Sequence, residues 1–226
     1  MQKGILYMAS SHLGNPDDLS LRVLETLKIC DVLIFEEDRP ARLVLKKAGL
    51  TRDYLKYSEH NEIQVLKQLK TVLKSGGSVI YMSDQGCPSF EDPGLSIIQS
   101  AYEVKASIRV IPGPSSLTAA LMACPFYMPS FQVKGRPPVK ANERQSFFSQ
   151  LRFEPTGMIF LDTPYRLERI AQDCHQHFNP KRRFHISLQL TLSDEEHLTG
   201  TCQDIIEILK PCFKHKKLFV LIIAPS

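Results

Sequence analysis

The sequence predicts an α/β protein in two parts, the first built on a mostly parallel sheet and the second on a mixed one. Three observations carry this. Through the first half, apolar runs of strand length alternate with segments of helical period, the pattern of strand–helix–strand units. In the second half, strands follow one another more often without a helix between them. Proline marks the change: Pro125, Pro129, Pro137 and Pro138 punctuate a stretch that also carries Lys134, Arg136, Lys140 and Arg144. That stretch reads as a junction with a basic loop, and the expected parts are 1–114 and 115–226.

The first strand is Ile5–Ala9. A Ser/Gly/Asn/Asp loop over 10–18 leads to a helix expected to bury Leu21, Leu24 and Leu27, with Asp17 or Asp18 near its positive end. Strand 32–35 runs into the acidic cluster Glu36-Glu37-Asp38 and then a helix over about 40–48, stopped by Gly49. A third helix carries Ile63, Leu66, Leu69 and Leu73 in phase and ends at Gly76-Gly77. Strand 78–82 breaks into a Gly/Pro-rich loop, 83–94, before a helix marked by Leu95, Ile98 and Tyr102. Strand 108–111 turns through Pro112-Gly113-Pro114 into a helix over 117–124. The second part reads as helix 142–151, strand 158–161, a helix with Leu167, Ile170, Ala171 and Cys174 in phase, strands 184–190 and 197–201, helix 203–210 and a last strand over 218–224.

Composition narrows the class. At 226 residues, 43% hydrophobic and 23% charged, the chain is ordinary for a globular protein with a real core. The longest apolar run, Leu218 to Ala224, is a strand's length and far short of a membrane span. The first strand is too short for a signal-peptide core, and the six scattered cysteines form no CxxC pair. A reduced, cytoplasmic protein is therefore expected. The net charge of +4 permits an anionic partner without requiring one.

No GxGxxG, GxxxxGK[ST] or GxSxG motif is present, so dinucleotide, P-loop and nucleophile-elbow chemistry lack direct support. Cys174-His175-Gln176-His177 offers too few ligands for zinc and reads as a helix end, so no metal is expected. Three loops remain, 10–18, 83–94 and 112–116. In a parallel sheet they converge on the strands' carboxyl edge, where open α/β sheets bind ligands, and their small residues leave backbone groups accessible. The same residues also fit ordinary connections.

These loops carry a resemblance. Leu13-Gly14-Asn15, Leu19-Ser20-Leu21-Arg22, Glu36-Glu37-Asp38-Arg39, His60-Asn61-Glu62, Ser83-Asp84-Gln85-Gly86-Cys87-Pro88, Asp92-Pro93-Gly94, Pro112-Gly113-Pro114-Ser115 and Asp162-Thr163-Pro164-Tyr165-Arg166 occur in the order of motifs in the tetrapyrrole-methylase superfamily of S-adenosylmethionine-dependent methyltransferases. The chain most resembles the branch that methylates cytidine 2′-O in small-subunit ribosomal RNA. The resemblance implies two α/β domains with a cofactor cleft between them, S-adenosylmethionine as cofactor, and a homodimer. It assigns Ser83, Asp84, Gly86, Phe90, Ser115, Ser116, Leu161 and Leu190 to the cofactor. Glu36, Arg39, His60, Asn61 and Glu62 are assigned to catalysis, with imidazole and carboxylate as proton acceptors for a hydroxyl nucleophile.

The chain departs from the branch in its second part. A basic Arg-Glu-Leu-Thr-Lys segment becomes Leu188-Gln189-Leu190-Thr191-Leu192, Gly-Phe-Leu-Pro becomes Gly135-Arg136-Pro137-Pro138, and Ser10-Ser11-His12 stands where Thr-Pro is usual. Replacement cations are available in Lys134, Arg136, Lys140 and Arg144, in Lys181-Arg182-Arg183 and in Lys214-His215-Lys216-Lys217. Each cluster also fits a solvated face. The expected substrate is accordingly RNA, with a small molecule such as a tetrapyrrole, or a cofactor-binding module without catalysis, as alternatives.

Overall fold

Strands buried on both faces need continuous apolar runs, and Val79-Ile80-Tyr81-Met82 and Leu33-Ile34-Phe35 supply them. The computed structural model describes residues 3–89 and 94–226 and divides at 115/116 into two units. In the first unit β1 (Ile5–Ala9), β2 (Val32–Phe35), β3 (Leu55–Lys56), β4 (Ser78–Met82) and β5 (Ser107–Ile111) form one sheet in the order β3-β2-β4-β1-β5. Every pairing in it is parallel. Successive side chains point to opposite faces. Ala9, Leu33, Phe35, Ile80 and Met82 pack with α1 (Leu21–Ile29) and α2 (Asp38–Ala48). Leu6, Met8, Ile34, Val79 and Tyr81 pack with α3 (Glu62–Lys74) and α4 (Leu95–Glu103).

Local signals set the helix ends. The Ser20 side chain accepts from Val23 N at 3.2 Å and opens α1. Gly49, in the left-handed region at φ 69°, closes α2. The buried stripes keep Leu27, Leu69 and Leu73 as expected but otherwise shift. Leu21, Ile63, Leu95 and Tyr102 are 81%, 87%, 63% and 70% exposed, while Val23, Thr26 and Leu27 of α1, Val65, Leu69 and Leu73 of α3, and Ile97, Ser100 and Ala101 of α4 face the sheet. Leu21, Ile63 and Leu95 each fall in the first turn, outside the face that meets the strands, and Thr26 is tolerated on that face because its hydroxyl donates to Arg22 O at 2.7 Å.

The second unit comprises α5 (Ser116–Ala123), β6 (Phe131–Gly135), α6 (Ala141–Gln150), β7 (Gly157–Asp162), α7 (Leu167–His177), β8 (Arg183–Leu188), β9 (Glu196–Thr201), α8 (Ile205–Leu209) and β10 (Phe219–Ile223). Its sheet runs β6-β7-β10-β8-β9, parallel only between β6 and β7, and is mixed as expected. One face carries Phe160, Phe184, Ile186, Leu188, Phe219 and Leu221 against α6, α7 and α8. The other carries Ile159, Val220 and Ile222 against α5.

Two strands were not anticipated. β3 has only two residues. β6 lies within the stretch read as a basic loop. It is an edge strand with a register shift between Val133 and Gly135, the latter at φ 61°, so its alternation is short and broken. Arg144, expected within helix 142–151 and counted among the basic residues of that stretch, is buried on α6, its Nε donating to Asp173 Oδ2 on α7 at 2.5 Å and its Nη1 to Val139 O at 3.1 Å.

Candidate active site

The strand order of the first unit creates a switch point. From β1 the chain crosses β4 to reach β2, and from β4 it crosses β1 to reach β5, so adjacent strand ends send their loops in opposite directions. Open parallel sheets bind ligands at such a point.

Main-chain bonds join the loops there. Ser10 N donates to Ile111 O at 3.0 Å, Ser11 N to Gly86 O at 2.7 Å, and Gly86 N to His12 O at 3.2 Å. Gly86 sits at φ 67°, and a Cβ on it would stand 3.3 Å from Leu13 Cδ2. The Ser10 hydroxyl donates to Pro114 O at 2.7 Å, tying in the third loop.

A second tie links the ends of β2 and β4. Tyr81 OH donates to Glu36 Oε1 at 2.5 Å, Asp84 N to Glu36 Oε2 at 3.4 Å, and Glu37 N to Asp84 Oδ1 at 3.1 Å. Burial pushes the Asp84 carboxyl above its ordinary range, against the stabilising Glu37 N–H. Ser83 is buried, and its hydroxyl donates to Gln85 O at 3.3 Å.

The His60-Asn61-Glu62 stretch separates into distinct roles. Asn61 Oδ1 accepts from Ser58 N at 2.8 Å and Ser58 Oγ at 3.1 Å, while its Nδ2 donates to Lys56 O at 2.7 Å. Its side chain therefore folds the turn. Tyr57 OH donates to Glu62 Oε1 at 2.7 Å; Ser96 and Tyr57 hold the Glu62 carboxyl below its ordinary value, and the Tyr57 phenol is pushed up to about 12, by burial first. His60 and Arg39 are exposed.

Of the remaining expected residues, Ser115 ends the first unit and Ser116 begins α5. Leu161 on β7 and Leu190 just beyond β8 pack partly buried against the cluster of Ala120, Ile159, Val220 and Ile222. Phe90 lies outside the described residues. Cys174 is buried, His175 Nδ1 lies 3.1 Å from Cys202 O, and His177 Nε2 lies 2.6 Å from Gln145 Oε1, so this segment serves packing within its own unit.

Sequence reasoning assigned no role to His12. Its ring is 5% exposed, and neither nitrogen has a hydrogen-bond partner among the described residues; the Ser11 hydroxyl beside it is also buried and unpartnered. Burial lowers the His12 pKa, against a smaller opposing pull from Asp18. The only signal for it in the sequence was the departure from Thr-Pro at this loop.

The replacement cations are mostly committed elsewhere. Arg182 is buried and donates to Ala224 O and Thr156 O, Arg183 stacks over Phe126, Lys216 lies over Tyr165, and Lys217 pairs with Glu196 at 3.0 Å. Lys140 pairs with Glu143 at 3.0 Å, and Lys134 donates to Gln132.

An open α/β sheet with small-residue loops joined at its switch point is an architecture that binds ligands at that edge, and comparison narrows the class. The model of the tetrapyrrole (corrin/porphyrin) methylases matches residues 6–206, and the chain belongs to this family of methyltransferases. Two relatives, both named ribosomal RNA small subunit methyltransferase I, are similar along most of their length. The protein of Mesorhizobium japonicum is 31% identical over 98% of this chain and 75% of its own; that of Thermotoga maritima is 27% identical over 90% of each. Among solved structures, uroporphyrin-III-C-methyltransferase from Thermus thermophilus matches with a TM-score of 0.67 and 17% identity, over 98% of this chain and 94% of that one. Another structure of that enzyme, complexed with S-adenyl homocysteine, matches at 0.64 and 16%, over 97% and 96%. These structures share the fold. No helix among the described residues is long and apolar enough to cross a membrane.

Proposed function

We propose that this chain is an S-adenosylmethionine-dependent methyltransferase acting on RNA, at a ribose 2′-hydroxyl of the small ribosomal subunit. The observation that carries the RNA reading is the 31% identity, over 98% of the chain, to a protein named ribosomal RNA small subunit methyltransferase I; the ribose 2′-hydroxyl follows the motif resemblance. The alternative of a tetrapyrrole substrate draws on structures that are 14–17% identical and speak for the fold. A homodimer in the cytoplasm accompanies the reading.

In this assignment the cofactor is held by Ser83, Asp84, Gly86, Phe90, Ser115 and Ser116, with Leu161 and Leu190 as apolar contacts. Bound S-adenosylmethionine would supply a methyl on its sulfonium, and a substrate hydroxyl would take that methyl in line, the O–CH3 bond forming as the S–CH3 bond breaks and the hydroxyl proton passing to an acceptor on this chain. The sulfonium is already an activated leaving group, so placing the two reactants supplies most of the rate. His60 and Glu62 stand as acceptors for the hydroxyl proton. Ser96 and Tyr57 hold the Glu62 carboxylate in place, while Glu36 and Asn61 position the loops.

The test is transfer of labelled methyl from S-adenosylmethionine to small-subunit RNA from cells lacking this protein. Label at one ribose is expected, lost in His60→Ala or Glu62→Ala with cofactor binding by calorimetry retained. Cofactor binding without RNA label would move the substrate to a small molecule. Equal loss of cofactor binding in both variants would make those two residues structural.

A further inference from the structure

Two helix faces of the first unit present cations to solvent, and one of them has a carboxylate paired within its row. On α3, Lys67, Lys70 and Lys74 line a groove with Glu103, which pairs with Lys70 at 3.2 Å. On α2, Arg39, Arg42 and Lys46 are exposed, and none has an ion-pair or hydrogen-bond partner among the described residues.

Their spacing puts them on one face. Positions three and four apart on a helix are neighbours, and like charges there destabilise it. Arg39 and Arg42 are such a pair, as are Arg42 and Lys46. Asp38, the carboxylate at the start of α2, does little to offset them. It already accepts from Tyr54 OH at 2.9 Å and lies 3.5 Å from Lys56 Nζ, and Arg42 is the smallest influence on its proton. The helix dipole accounts for Lys46 in the last turn, but it opposes Arg39 in the first. Lys47, one residue on, is paired with Asp17 and stands apart from this row.

The row also starts in the right place. α2 begins directly after Glu37, whose N–H is held by Asp84 in the loop assigned to the cofactor. At 1.5 Å per residue, Arg39 to Lys46 spans about 10 Å, the rise of about three stacked nucleotides. Guanidinium groups suit phosphate oxygens, which they can engage with two parallel bonds. The second unit's nominated cations are largely bound within their own unit.

We propose that the exposed Arg39–Arg42–Lys46 face of α2 is the track along which the RNA's phosphate backbone is held as it approaches the β2–β4 strand ends. The proposal rests on the RNA reading above and adds the surface that holds the substrate.

Retention of labelled small-subunit RNA on filters, measured across a salt series, tests it. Arg42→Gln/Lys46→Gln leaves Arg39 and the assigned site intact. Two lost single-strand phosphate contacts should lower the slope of log affinity against log salt by about 1.4, which is about 25-fold in affinity at 0.1 M salt. Methyl transfer at saturating RNA and cofactor binding should be unchanged. The control Lys67→Gln/Lys74→Gln on α3 should bind as the unsubstituted protein does. Unchanged affinity and slope in the α2 variant, or an equal loss in the α3 control, would overturn the track while leaving RNA methylation standing. If the unsubstituted protein neither retains nor labels RNA, the RNA reading fails first and takes the track with it.

Discussion

Replacing His12 by leucine should make this protein more stable and less active. Neutral imidazole has one donor and one acceptor, and in the folded chain both are buried without a partner among the described residues. Each such orphan costs about 1–3 kcal/mol, whereas an apolar side chain of similar size leaves nothing unsatisfied. A net gain of about 2 kcal/mol is expected, which for a unit of this size raises Tm by about 8 °C. Acid sensitivity should fall as well. The folded pKa of His12 lies below the ordinary 6.5, so its contribution to stability is complete above that value and is lost as pH falls below it. Leucine removes that loss. Methyl transfer should drop, because an unpartnered imidazole at the switch point, kept neutral by burial, is suited to meet a ligand hydroxyl. Thermal unfolding at pH 5 and pH 7.5, alongside single-turnover transfer, reads both effects. A variant that loses stability and keeps full transfer would refute the reasoning, since the ring would then be bonded for structure alone.

Two further outcomes concern the second unit. Arg144→Met should cost about 3–5 kcal/mol, because Asp173 would stay buried without its cation, and Arg144→Met/Asp173→Leu should recover much of that in urea titrations. His185 is buried, with Nε2 3.1 Å from Ser187 Oγ, and its pKa is lowered to about 4 by burial and then by His197. Its contribution to stability is full above pH 6.5 and falls away between there and pH 4. His185→Leu should flatten the stability–pH curve in that window, and an unchanged curve would show that His185 does not govern it.

Much of this architecture was legible in the sequence because double-sided burial writes itself as unbroken apolar runs. β1, β2, β4 and β10 are such runs. The helix faces were harder to read. Leu21, Ile63 and Leu95 are large and in phase with one another's spacing, yet each lies in the first turn and outside the stripe that Val23, Val65 and Ile97 begin. β6 escaped because an edge strand with a bulge keeps little alternation. At the candidate site the motif order located the loops, but it could not separate Asn61, which folds its own turn, from Glu62, whose carboxylate is held by Ser96 and Tyr57. Those roles depend on which side chains the fold brings within hydrogen-bond reach, and residue identity does not encode that. His12 was invisible for a related reason: a histidine's burial is a property of what surrounds it.

The position of β1 has a consequence for how the first unit is made. β1, the earliest strand of its sheet in chain order, pairs only with β4 and β5, the sheet's last two strands. Until residue 111 has left the ribosome, β1 has at least one open edge, and such non-local parallel pairing is intrinsically slow. Nascent chains stalled before β5 should therefore be protease-sensitive and prone to aggregate, and chaperone demand should fall sharply once that strand emerges.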